Sequence, residues 1–218
     1  MHLTFHKEID KLRSKFLSLG TLVEDRVRQA CAAINTRDPE VTDFIIRSDY
    51  EIDEMEIEIE EECLKILALH QPVARDLRFL IAIIKINNEM ERIADYAQKI
   101  ARRIQGINQD IVLLCGVDFD IMSEKVIAML RLSLDCLINR DAALAHKIFI
   151  LDDDVDSLFI EALDIITSKL KETTDHPECL LNTFLIARHL ERIADRATNI
   201  AEEVIYMVEG EIVRGLHN

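Results

Sequence analysis

The chain has 218 residues, of which 49% are hydrophobic and 31% are charged, a balance that is typical of a folded protein and not of a disordered one. It contains only 5 glycines and 3 prolines, too few for the turns of an all-β sandwich or barrel, so helices are expected to dominate. Its formal net charge is −15. Because nucleic-acid binding needs basic surface, no nucleic-acid partner is predicted.

Hydrophobic residues at intervals of three and four predict six long helices. The predicted helices cover roughly residues 9–34, 39–66, 73–105, 118–139, 142–172 and 177–209. Asp38 followed by Pro39 predicts an N-cap with proline at the first helical position, and His70-Gln71-Pro72 ends the second helix. Asp141 is a candidate cap for the fifth helix, and His176-Pro177 opens the sixth.

The sequence contains an internal repeat. Residues 90–103 (MERIADYAQKIARR) and 190–203 (LERIADRATNIAEE) are identical at eight of fourteen positions, at an offset of 100. A weaker echo joins residues 49–53 to residues 152–156. Repeated elements in the same order indicate a duplicated unit. The expected fold is therefore all-α, with two tandem three-helix bundles over residues 1–110 and 111–218.

Sequence features also predict the compartment. The N-terminus is charged and has no apolar core of a secretory signal. The longest apolar run, Phe79 to Ile84, has six residues, far fewer than the ~20 that span a bilayer. The five cysteines are scattered and form no C-x-x-C pair, as expected of reduced thiols. A cytoplasmic location follows as the prediction.

Four pairs of acidic residues at positions i and i+4 are the main chemical feature of the chain. The pairs are Asp49/Asp53, Glu91/Asp95, Asp152/Asp156 and Glu191/Asp195. This spacing places both carboxylates on one helix face, about 6 Å apart, where like charges repel. A bound cation would turn that repulsion into attraction. Oxygen ligands alone suit magnesium, calcium, manganese or iron, and suit structural zinc poorly.

Two other interpretations of the acids stay open. The acids could form ordinary salt bridges, for example with Arg92 or Arg192. The pair Asp49/Asp53 lies in a stretch with nine acids between residues 49 and 62, which favours a solvated face for this pair. The repeated pairs at 91/95 and 191/195 are better candidates, because they recur inside a duplicated motif.

Known catalytic patterns are missing from the sequence. No histidine follows a glutamate at the Glu-x-x-His spacing of di-iron bundles. The chain also lacks a phosphate-binding glycine loop and a G-x-S-x-G elbow. The chain is therefore not predicted to be an enzyme. The alternative function is a carboxylate-bridged metal-storage bundle or a metal-dependent helical-bundle enzyme that uses the same acids.

With these motifs in view, nearly the entire chain resembles the PhoU family, the phosphate-transport accessory regulators of bacteria and archaea. The resemblance rests on the two Glu-Arg-Ile-Ala-Asp cores at 91–95 and 191–195, on Asn199-Ile200-Ala201-Glu202, on the segment 71–78 (QPVARDLR), and on the Asp-x-x-Ile/Val-Asp pieces at 49–53 and 152–156. After the first core, Lys99, Arg102 and Arg103 put positive charge near the first acid pair, which disfavours a cation there.

The resemblance implies a fold, a cofactor and partners. It implies two three-helix bundles, a homodimer, and metal ligands at Asp49, Asp53, Glu91, Asp95, Asp152, Asp156, Glu191 and Asp195. The metal would be a divalent or trivalent ion: iron, magnesium, manganese, calcium or zinc. The expected function is a cytoplasmic adaptor that couples the phosphate ABC transporter to a sensor histidine kinase. It would restrain phosphate uptake and the phosphate-starvation response, and would reach the membrane only through partner proteins.

Overall fold

The computed structural model describes residues 2–107, 116–172 and 176–213, and within these ranges the chain forms α-helices and no strands. The seven helices of this part of the chain are α1 (His2–Thr36), α2 (Pro39–Arg47), α3 (Tyr50–His70), α4 (Ala74–Gln105), α5 (Phe119–Asn139), α6 (Ala142–Glu172) and α7 (Pro177–Glu209). The helices are long and few turns connect them, in agreement with the low glycine and proline content.

The second predicted helix is interrupted, which corrects the sequence prediction of one continuous helix. It consists of α2 and α3, separated at Ser48 and Asp49. The Ser48 hydroxyl donates to the Phe44 carbonyl at 2.6 Å, a side-chain bond that competes with the regular helical ladder. Asp49 nevertheless has helical backbone angles, and the Asp53 amide donates to the Asp49 carbonyl at 3.3 Å. The two acids therefore keep their one-turn spacing.

Two predicted helix starts are confirmed by hydrogen bonds. Asp38 accepts from the amide of Glu40 at 2.8 Å, and Asp141 accepts from the amide of Leu144 at 3.0 Å. These bonds satisfy amides that the first helical turn leaves free. The predicted boundary between residues 110 and 111 lies outside the described residues, and the domain limits stay a prediction.

Helices α4 and α7 form the centre of the molecule. Helix α4 packs against α1, α2 and α3, helix α7 packs against α5 and α6, and α4 and α7 pack against each other. Small residues buried on both central helices permit close approach of their neighbours; they are Ala94, Ala97, Ala101, Ala194, Ala197 and Ala201. The all-α fold of two tandem three-helix units is thereby confirmed, with α2 and α3 together taking the place of one helix.

Candidate metal centres

The first acid cluster comprises Asp49, Asp53, Glu91 and Asp95, on the facing helices α3 and α4. Burial, followed by the charges of Asp53 and Asp95, raises the pKa of Asp49 to about 6. Burial, followed by the charges of Asp95 and Asp53, also raises the pKa of Glu91. The structure therefore brings two sequence-distant acid pairs into one electrostatic neighbourhood.

The second acid cluster comprises Asp152, Asp156, Glu191 and Asp195, on α6 and α7. Burial and then the charges of Asp156 and Asp195 raise the pKa of Asp152 to about 6. Burial and then the charge of Asp195 raise the pKa of Glu191 to about 7. The pKa of Asp156 is raised as well, by burial and then by Asp195. The duplicated sequence has produced two equivalent constellations of four carboxylates.

Local packing explains why these side chains meet. Ile52 lies between Asp49 and Asp53, is fully buried, and anchors α3 in the core. Val155 does the same between Asp152 and Asp156 on α6. An anchored residue fixes the rotation of the helix about its axis, so the acids three residues before it and one residue after it flank the packed face.

In the first cluster, basic and amide groups contact two of the carboxylates. Lys99 donates to Asp95 at 2.9 Å, and Gln98 donates to Asp49 at 2.6 Å. Asp53 is exposed, and Glu91 is half-buried. Lys99, one of the basic residues that follow the first Glu-Arg-Ile-Ala-Asp core, therefore contacts Asp95 directly.

In the second cluster, arginines of α7 donate hydrogen bonds to two carboxylates, and two buried carboxylate oxygens accept no hydrogen bond. Arg188 donates to Glu191 at 2.7 Å, and Arg192 donates to Asp195 at 2.8 Å. Oδ1 of Asp152 and Oε2 of Glu191 are buried and have no hydrogen-bond partner. A buried carboxylate oxygen without a donor is unfavourable, and a cation would satisfy it.

The salt-bridge interpretation holds for some of the acids. Asp95, Glu191 and Asp195 each pair with a basic side chain, and the remaining five acids of the clusters form no ion pair with a described residue. Arg92, which the sequence offered as a partner, pairs with Glu89 at 3.7 Å instead.

The carboxylates of the two clusters are not arranged as a metal-binding site. Within the described ranges, no group of three or more histidine, cysteine, aspartate or glutamate side chains is arranged so that it could hold a metal ion. Like charges drive the carboxylates apart, and Arg188, Arg192 and Lys99 draw them toward other positions. The donor chemistry fits a hard cation, and the second cluster fits it better because two of its buried oxygens accept no hydrogen bond, although Nε of Arg192 lies 3.7 Å from one of them, Oε2 of Glu191.

His189 of α7 packs against the first half of the chain. Its ring is half-buried and stacks on Tyr96 of α4, with ring centroids 5.8 Å apart. Burial and then the charges of Arg103 and Lys99 lower the pKa of His189 to about 4, so the ring is neutral at pH 7. Its sequence position beside Glu191 gave no signal of this packing, because the Tyr96 partner lies in the other half.

A cleft of about 700 Å³ opens between α3, α4 and α7. Its charged lining residues are Glu56, Glu60, Lys85, Glu89, Arg92, Glu202 and Glu203. Glu56 is close enough to raise the pKa of Glu91, which places the cleft beside the first cluster. The excess of acids makes this surface attractive to cations.

Comparisons with known proteins agree with this architecture. The family model described as the PhoU domain matches residues 16–104 and again residues 119–204. The two matches together span most of the chain and correspond to its two halves. The chain belongs to the PhoU family.

Relatives within the family are similar over nearly their whole length. A protein of Clostridium acetobutylicum named "Phosphate-specific transport system accessory protein PhoU homolog" is 32% identical over 214 residues, covering 96% of each chain. The crystal structure of PhoU from Pseudomonas aeruginosa has 36% identity and a TM-score of 0.88, covering 95% of this chain and 100% of that one. The phosphate transport system regulatory protein PhoU from Streptococcus pneumoniae, at 28% identity, also gives a TM-score of 0.88, with 96% and 99% covered.

Proposed function

We propose that this PhoU-family chain is an accessory protein of a phosphate-specific transport system. In this proposal it restrains phosphate uptake and the phosphate-starvation response, by coupling the phosphate ABC transporter to its sensor histidine kinase. Full-length similarity to proteins that carry the name of such an accessory protein supports the pathway. This similarity is the observation that carries the proposal.

The role proposed is that of an adaptor and not of an enzyme. It acts in the cytoplasm as a homodimer and reaches the membrane through its partners. No helix in the part of the chain that the structure describes is long and apolar enough to cross a bilayer, which is consistent with attachment through another protein.

The two acid clusters are proposed to bind metal cations. Each cluster joins two helices of one half, α3 to α4 or α6 to α7. A cation held by carboxylates from both helices would neutralise their repulsion and fasten the two helices together. The raised pKa values of Asp49, Asp152 and Glu191, caused first by burial and then by neighbouring carboxylates, support this proposal.

Binding at the second cluster requires a local rearrangement. Arg188 and Arg192 must release Glu191 and Asp195, and both arginines are partly exposed, so they can turn into solvent. Asp152 and Glu191 already hold buried oxygens without donors. The exchange replaces the three ion pairs that Arg188 and Arg192 make with Glu191 and Asp195 by a shared cation.

Deletion of the gene tests the pathway. Cells that lack it are expected to take up phosphate and express starvation genes in phosphate-rich medium, and the wild-type gene should restore repression. A complementing gene with Asp95→Asn and Asp195→Asn tests whether the clusters matter for signalling. Unchanged uptake and unchanged expression after deletion would contradict the proposed role.

A further inference from the structure

A group of four arginines lies near the N-terminus of α4, at the opposite end of this helix from Glu91 and Asp95. Arg75 and Arg78 stand in the first turns of α4, Arg13 comes from α1, and Arg140 ends α5 in a left-handed conformation with φ of 52°. Arg78 and Glu91 are thirteen residues apart on α4, or about 20 Å along the helix axis. This site is therefore physically separate from the candidate metal centres.

One aromatic ring gathers two of these guanidinium groups. Cζ of Arg13 lies 4.9 Å from the ring centroid of Phe79, and Cζ of Arg140 lies 5.6 Å from the same centroid. Two like charges on one buried ring attract the ring but repel each other. Burial, followed by the charges of Arg13 and Arg75, lowers the pKa of Arg140, in keeping with this crowding.

The acids near these arginines do not compensate all four charges. Asp10 contacts Arg13 at 3.6 Å, and Asp76 acts on Arg140 from a greater distance. In the described part of the chain, Arg75, Arg78 and Arg140 form no ion pair. Nε of Arg78 is buried without a hydrogen-bond partner, which is unfavourable for a charged donor.

Three of the four arginines line a small pocket. A cavity of about 140 Å³ is lined by Arg75, Arg78, Phe79, Arg140, Met207 and Val208. A Cβ atom added to Gly210, just after α7, would lie 3.8 Å from Cζ of Arg78. The end of α7 therefore forms one wall of the pocket. A neighbouring cavity of about 290 Å³ is lined by Arg13 and Arg140 and otherwise by apolar side chains, so the smaller pocket, which three arginines line, is the better place for a charged group.

We propose that this pocket binds a phosphate-type dianion, supplied by inorganic phosphate or by the phosphate group of a phosphomonoester. Guanidinium groups bind phosphate through paired N–H donors. Three guanidinium groups, two from α4 and one from the end of α5, suit a tetrahedral oxyanion, which presents oxygens in several directions, better than a planar carboxylate. A dianion also balances the positive charge of the arginines that Asp10 and Asp76 do not neutralise. The proposal does not depend on cation binding at the acid clusters.

Calorimetric titration of the metal-free protein in a chelator tests this proposal. The probes are inorganic phosphate and adenosine monophosphate, each at an ionic strength matched with sodium chloride. Arg78→Gln and Arg140→Asn are expected to weaken binding at least tenfold, and the exposed Arg131→Gln is the matched control. Asparagine tolerates the left-handed conformation of position 140. Glu191→Gln should bind phosphate like the wild type, which keeps this test independent of the metal sites.

Thermal unfolding without phosphate separates a binding role from a structural one. Removing one of several repelling charges should leave the melting temperature of Arg140→Asn at or above that of the wild type, while phosphate should raise the wild-type value and not that of the variant. Binding of only one probe identifies the source of the phosphate group and supports the proposal. Absence of binding by both probes, equal binding by all variants, or equal stabilisation by chloride would overturn it.

Discussion

Glu89 of α4 accepts a hydrogen bond from Arg196 of α7 at 3.2 Å, across the junction of the two halves. Both side chains are largely buried, at 14% and 18% exposure, and Asn199 donates to the same carboxylate oxygen at 3.2 Å. At the offset of 100 residues, the equivalent positions are His189 and Tyr96, which stack on each other. The two halves of the repeat have therefore diverged at these positions: Glu89 and Arg196 form an ion pair, whereas His189 and Tyr96 stack their rings.

The ion pair should stabilise the junction of α4 and α7. Arg196→Gln is expected to lower the free energy of unfolding by about 1–3 kcal/mol, because it leaves the carboxylate of Glu89 buried with a weaker partner. The double variant Glu89→Gln/Arg196→Gln should recover part of that loss, since it removes both buried charges and Arg92, the other ion-pair partner of Glu89, is half exposed. Denaturant unfolding measures both. A loss below about 0.5 kcal/mol, the level of an exposed pair, would contradict the structural role.

Much of this fold could be predicted from the sequence, because helical periodicity and caps are local signals. Asp38-Pro39 and Asp141 marked helix starts that hydrogen bonds confirm. The break at Ser48 was missed, since a serine hydroxyl bonded to a carbonyl leaves the hydrophobic pattern intact. The repeat placed the eight acids in equivalent positions, but it could not show their partners. Tyr96 and His189, and likewise the arginines around Phe79, meet only through packing between helices, whereas Arg188 and Glu191 pair locally at i and i+3 on α7.

The raised pKa of Glu191 predicts how stability depends on pH. Its value is about 7 in the folded chain against an ordinary 4.5, so the folded state holds this proton more tightly than the unfolded state. Ionised Glu191 therefore destabilises the fold, and its cost develops as pH rises from about 4.5 to above 7. Glu191→Gln should raise the free energy of unfolding at pH 8 by about 3 kcal/mol in metal-free protein.

The same substitution should have no stabilising effect near pH 4, where Glu191 is protonated in both states. His189 has a lowered pKa and acts in the opposite direction, but it is present in both proteins and does not affect the difference. Denaturant unfolding at several pH values measures that difference. A gain at pH 8 no larger than the gain at pH 4 would contradict the assignment of an ionised, buried Glu191.

The two clusters should bind cations unequally. Lys99 holds Asp95 at 2.9 Å, whereas the second cluster offers buried oxygens of Asp152 and Glu191. Titration with Mn²⁺ should therefore show one tighter and one weaker class of site, and Asp152→Asn should remove the tighter one. Lys99→Gln should strengthen the weaker class, because it removes a competing cation. A single class of sites that is unaffected by Asp152→Asn would argue against this asymmetry.

The central claim is that carboxylates one turn apart, repeated in both halves, hold metal ions between helices. Elemental analysis after dialysis against Mn²⁺ at pH 8 tests it most directly. The comparison is between the wild type, Asp95→Asn/Asp195→Asn, and the control Glu54→Gln/Asp153→Asn, which changes exposed acids on the same surfaces. The account predicts a small number of bound ions per chain in the wild type and the control, with loss in the cluster variant. Equal metal content in all three proteins would contradict it.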